Sequence, residues 1–144
     1  MNIFYKIIKT KYLLLFFFLV FAGCEKEKKS NENILLINPN SLKQDFSDYD
    51  VCSCNKEAEF ILDQSIIVRN QHKDFTSFKE DKNSVSSIRS WAKRWTSLMK
   101  DCFRKNGSTM WMSSDCNNQV LIQKKKEILF NLGIQIDQGE RVKL

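Results

Sequence analysis

The side chains with the most chemistry to offer are cysteines. Cys52 and Cys54 stand one residue apart, and Cys102 and Cys116 follow much later in the chain. Thiols so placed allow three chemistries. Two pairs can close as disulfides. Four thiolates can instead hold Zn²⁺ tetrahedrally or Cu(I) through soft sulfur, and Met110 and Met112, flanking Trp111 just before Cys116, would add thioethers suited to Cu(I). A Cys-Ser-Cys pair could also cycle redox state, but paired-thiol oxidoreductases use Cys-x-x-Cys on a βαβ scaffold, and neither is present here. Against a metal, Cys-x-Cys followed by two single distant cysteines is not one of the usual zinc spacings. Met and Trp between helices ordinarily form a lid on a core.

The remaining candidates are weaker. His72 is the single histidine, and Asn70-Gln71-His72-Lys73-Asp74 contains neither a nucleophile elbow nor a metal-binding helix. It reads as an exposed loop residue. Asp45, Asp48 and Asp50 alternate like calcium ligands, but the glycine and terminal glutamate of a calcium loop are missing. Glu57 and Glu59 fit the start of a helix, where the dipole favours acids. Trp91 and Trp95, spaced i and i+4, could line a sugar or haem pocket, with core packing the simpler reading. No catalytic residue is assigned and no enzyme activity is expected.

Scarce Gly and Pro favour helices over turn-rich sheet. A first helix is expected from Asn55, as N-cap, to about Asn70, with Ala58, Ile61, Leu62, Ser65 and Val68 on one stripe and Phe60 and Ile67 as a second patch. Gln71 to Asn83 reads as a polar loop. A second helix, capped by Ser84 or Ser86, runs to an αL stop at Asn106-Gly107. Val85, Ile88, Trp91, Ala92, Trp95, Leu98, Met99, Cys102 and Phe103 share one face, and Arg89, Lys93, Lys100 and Arg104 form a basic face opposite. A third helix is expected over about Asp115–Leu132, with Leu121, Ile128, Leu129 and Leu132 inward and Ser113 or Ser114 as cap. Gly133 and Ile134 then form a Schellman-like stop, and the tail packs through Ile134 and Ile136.

These elements predict an all-α fold, a small three-helix bundle. Run up-down-up on short connections, they bring the start of the first helix, the end of the second and the start of the third to one end. Those are the places of Cys52 and Cys54, Cys102, and Cys116. A Cys52–Cys54 bridge would close a very small, strained ring, so Cys52 and Cys54 each reach one of the other two. The sequence leaves open which.

The compartment is written at the N-terminus. Lys6, Lys9 and Lys11 precede an apolar run from Tyr12 to Ala22. This is the layout of a secretory signal, and the run is shorter than the roughly 20 residues a membrane-spanning helix needs. Phe21-Ala22-Gly23-Cys24 resembles the lipobox of bacterial lipoproteins, with Phe21 where that pattern prefers leucine. The resemblance implies cleavage before Cys24, lipidation of Cys24 with acyl chains such as palmitate, and a place in the bacterial cell envelope. Glu25 to Asn33 carries no apolar side chain and is similar to the surface-export signals of some Gram-negative lipoproteins. The expected organisation is a signal over 1–23, a lipidated cysteine and flexible tether over 24–50, and a helical domain over 51–144.

Export to an oxidising compartment predicts that Cys52, Cys54, Cys102 and Cys116 are disulfides, with no cofactor. The alternative is a Cu(I)- or zinc-binding envelope protein using those four with Met110 and Met112. Half of the +6 net charge lies in residues 1–23, leaving the rest only mildly basic. That surplus, with Lys124, Lys125 and Lys126, suits anionic lipid headgroups or acidic cell-wall polymers. The expected role is a non-enzymatic interaction or structural module. It would be held at the outer membrane, on its periplasmic or surface face, through the N-terminal lipid. Its partner would be an envelope protein or cell-wall polymer, not nucleic acid.

Overall fold

A computed structural model describes residues 37–136. The signal, the lipobox and residues 24–36 of the tether lie outside the described residues, as does the chain after Ile136.

Helix α1 runs Val51–Asn70, and its N-cap is Asp50, whose carboxylate accepts the Ser53 N–H at 2.7 Å. The Ser53 hydroxyl and N–H hold the Asp50 carboxyl below the usual carboxylate range. The start expected at Asn55 is therefore a turn late. Cys52 and Cys54 stand inside the first turn, and Asn55 is buried.

The expected loop after α1 contains a short helix, α2, over Phe75–Glu80, closed by a capping box between Asp74 and Ser77. Helix α3 spans Lys82–Asn106 and is capped by Asp81 rather than by Ser84 or Ser86. It ends at Gly107 with φ +59°, and a 3-10 turn, Gly107–Trp111, leads on. Helix α4, Gln119–Asn131, starts later than expected because Asn118 is its cap. The residues before it turn back on themselves, with Ser114 and Asn117 exchanging backbone hydrogen bonds at 3.2 and 3.1 Å.

The exit from α4 is a Schellman motif. The Ile134 N–H reaches Leu129 O and the Gly133 N–H reaches Phe130 O, both at 2.9 Å. Gly133 sits at φ +88°, and a Cβ there would lie 2.9 Å from the Phe75 ring, so glycine is needed twice over.

The three long helices form the expected all-α bundle, but an open one. Helix α1 packs against both α3 and α4, while α3 and α4 hardly touch each other. The expected α1 stripe of Ala58, Ile61, Leu62, Ser65 and Val68 is buried throughout, against Ile88, Trp91 and Leu98 of α3. On α3 the prediction fails at Phe103, which is 54% exposed. On α4 it is partly rotated: Ile122 and Leu129 are the buried residues of that helix, and Ile128 faces outward. Ile134 and Ile136 pack as expected.

Residues 37–50 are not a free tether. Phe46 is wholly buried, and Ile37, Leu42 and Tyr49 lie against the core. Helix α3 holds this strap by polar contacts. The buried Arg94 donates to Lys43 O, pairs with Glu57 at 2.7 Å and stacks over the Phe46 ring. Farther along, Lys105 donates to Asp48 O and Asn106 to Tyr49 O. The folded domain thus begins before residue 51. Glu57, expected to serve the helix dipole, is the partner of a buried arginine.

Candidate functional site

The four cysteines meet at one end of the bundle, as two disulfides. Cys52 pairs with Cys116 and Cys54 with Cys102, with Cα separations of 5.1 and 6.1 Å. The Asn106 amide sits over the inner bridge, 3.1 Å from Cys102 O and 3.6 Å from Cys54 Sγ. Met110 is buried while Met112 is 65% exposed, so the two thioethers occupy different surroundings. A soft-metal centre from these residues would require both bridges to be reduced first.

Beside the inner bridge lies a cleft of about 480 Å³. It lies between α3 and α4, which hardly touch each other. Cys54, Asn55 and Ala58 of α1 form its floor, Trp95 and Met99 of α3 one wall, and Ile122 of α4 the other. Trp95 therefore does line a cavity, whereas Trp91 is wholly buried in the core. Met110 and Trp111 close one side, which makes the 3-10 turn a partial lid, with Trp111 itself half exposed.

Polar groups brace that side. Asn117 Nδ2 donates to Met110 O at 3.0 Å and to Met112 O at 2.7 Å. Gln119 Nε2 donates to Met110 O and to Asn117 Oδ1. None of these was assigned from the sequence, where Asn117, Asn118 and Gln119 fall in the first turn of the helix expected from about Asp115.

The other end of the domain holds a serine, a histidine and an aspartate together. His72 Nε2 is 2.8 Å from Ser84 Oγ, and its side chain is only 14% exposed, so it is not the open loop residue expected. The Ser84 hydroxyl donates to Asp81 Oδ2 at 2.8 Å, and the same carboxylate accepts the Asn83 N–H. These bonds hold Asp81 below the usual carboxylate range. A nucleophilic triad would have the serine proton facing the imidazole and the acid behind it. Here the serine proton faces the acid, and His72 approaches both Ser84 and Asp81 through the same ring nitrogen, Nε2. The cluster is the N-terminal cap of α3.

Asp45 and Asp50 are likewise committed to turns and caps, Asp45 to the Ser47 N–H at 2.9 Å. On the surface, Arg89, Lys93, Lys100 and Arg104 are exposed along α3 as expected. Lys125 is withdrawn from the basic set, bonded to Asp63 at 2.8 Å with Glu59 at 3.7 Å. Among the described residues no helix is long and apolar enough to cross a membrane.

Set against family models, curated proteins and solved structures, this chain matches none.

Proposed function

We propose that this protein is a lipid-anchored component of the bacterial cell envelope whose folded domain is a non-enzymatic interaction module. The observation that carries the reading is the cysteine pairing. Of five cysteines, four are spent in two bridges, which leaves Cys24 as the odd one. Stable bridges call for an oxidising compartment, and Cys24 is the residue that the lipobox resemblance designates for acylation. Two or more acyl chains give stable anchoring where one is marginal.

The anchor holds the domain at a membrane, in this reading the outer membrane. The exposed Arg89, Lys93, Lys100 and Arg104 then face anionic lipid or an acidic wall polymer, each worth about 1 kcal/mol near an anionic surface.

Growth with an alkyne-bearing palmitate analogue tests the anchor. The full chain should take up label and fractionate with membranes, and Cys24→Ala should lose both. Unlabelled chain, or membrane association unchanged by Cys24→Ala, would sink the proposal. For the basic face, reversing Arg89, Lys93 and Lys100 to Glu should weaken binding to phosphatidylglycerol vesicles. Unchanged binding would remove that face from the reading.

A further inference from the structure

We infer that Cys116 is a site of thiol exchange, where a small external thiol opens the Cys52–Cys116 bridge and leaves Cys54–Cys102 closed. The inference rests on the two bridges and not on Cys24 or the lipid anchor.

The bridges share the first turn of α1 but not their surroundings. Cys54 is 3% exposed and Cys102 is wholly buried. That pair is covered, with the Asn106 amide 3.6 Å and Tyr49 O 3.8 Å from Cys54 Sγ. Cys52 is half-buried, whereas Cys116 is exposed, at the end of a stretch from Trp111 that is exposed throughout. Exchange requires a thiolate to reach a disulfide sulfur, so its rate follows access. Access singles out Cys116. No docking surface is required, so a small thiol suffices.

The chemistry closes in two steps. The thiolate attacks Cys116 Sγ, forming a new S–S bond there. The bond to Cys52 breaks, and Cys52 leaves with the electron pair and takes a proton from water. A second thiolate then attacks the sulfur of the bound thiol, and Cys116 departs as a thiolate that is protonated in turn. The protein gains two electrons and two protons, and two thiols are oxidised to one disulfide. Ser114 Oγ lies 3.8 Å from Cys116 Sγ, which sets a hydroxyl donor beside the sulfur that departs in the second step.

The fold holds without the outer bridge. The segment before α4 keeps the Asn117 bonds to Met110 O and Met112 O and the backbone pairing of Ser114 with Asn117. Helix α3 keeps its tie to α1 through Cys54–Cys102. Opening therefore frees two sulfurs and releases no helix.

The test uses the full chain carrying Cys24→Ser, with both bridges formed, incubated with reduced glutathione. Early samples are quenched with N-ethylmaleimide and mapped by peptide mass. The first product should carry glutathione on Cys116 and maleimide on Cys52, with Cys54–Cys102 intact. It should form about tenfold or more faster than the inner bridge opens, because buried sulfurs wait for local unfolding. Its near-UV circular dichroism should match that of the starting protein. In denaturing guanidinium chloride the preference between bridges should vanish, since the fold and not the local sequence sets it. Glutathione found first on Cys52, an inner bridge that opens first or equally fast in the folded protein, or a preference that persists in denaturant would each overturn the inference. So would loss of the near-UV signal on opening the outer bridge.

Discussion

The two ends of this domain are closed by different chemistry. At the end where α1 begins, a cleft lies between α3 and α4. Covalent bonds compensate, tying α1 to α3 through Cys54–Cys102 and α1 to the segment before α4 through Cys52–Cys116. At the other end no disulfide is present among the described residues, and closure is by packing and hydrogen bonds. Arg69 donates from Nε to Leu132 O at 3.0 Å and also to His72 O, and its guanidinium lies over the rings of Phe75 and Phe78. The lesson is that a staple lets a small domain keep a cavity. Where the bridges hold the helices, packing between α3 and α4 can be given up.

The largest expected effect separates the ends directly. Removing the inner bridge with Cys54→Ala and Cys102→Ala should lower stability by up to about 4 kcal/mol in the chain-entropy model. Hydrogen exchange should then speed up first at the end of α3, which that bridge ties to α1. If the far end opens first, the division of labour is wrong.

Next comes Arg69→Met. It strands two carbonyls that a nearly buried side chain satisfies. Denaturant unfolding should show a loss of about 1–3 kcal/mol, with both disulfides still intact by mass. A smaller effect, about 1–2 kcal/mol, is expected of Gly133→Ala, from the backbone conformation and contact with Phe75.

The mildest effect is acid sensitivity, and it should be shared. Asp50 lies at the stapled end, Asp74 and Asp81 at the other, and hydrogen bonds hold all three below the usual carboxylate range. A carboxyl depressed in the fold contributes stability above the unfolded value, near 4, and loses it as pH falls through the lower folded value. Thermal midpoints should therefore be flat above about pH 5 and drop below 4. A drop beginning near neutrality would point to other groups.

Periodicity made α1 and most of α3 legible, because their apolar residues recur at helical spacing among polar ones. The meeting of the cysteines followed from helix order alone, and which cysteine bonds which did not. Helix α4 was harder to orient. Val120, Leu121, Ile122, Ile128, Leu129 and Phe130 surround its axis, so contact with α1 selects the buried face and periodicity cannot. Arg94 read as one more cation on a charged helix. Its partners Lys43, Phe46 and Glu57 lie far away in sequence. The cleft left no mark on the sequence, since it depends on two helices failing to touch.

The Arg94 clamp also limits how far the domain can stray. With Lys43 and Phe46 fixed to α3, the chain leaves the described fold at Ile37 rather than at Val51. If Cys24 holds the lipid as proposed, residues 24–36 set the leash, at most about 45 Å when fully extended. A leash from Cys24 to Asp50 would reach roughly twice as far. Under that proposal the domain would be confined to a thin layer above its membrane, meeting only what lies within that reach.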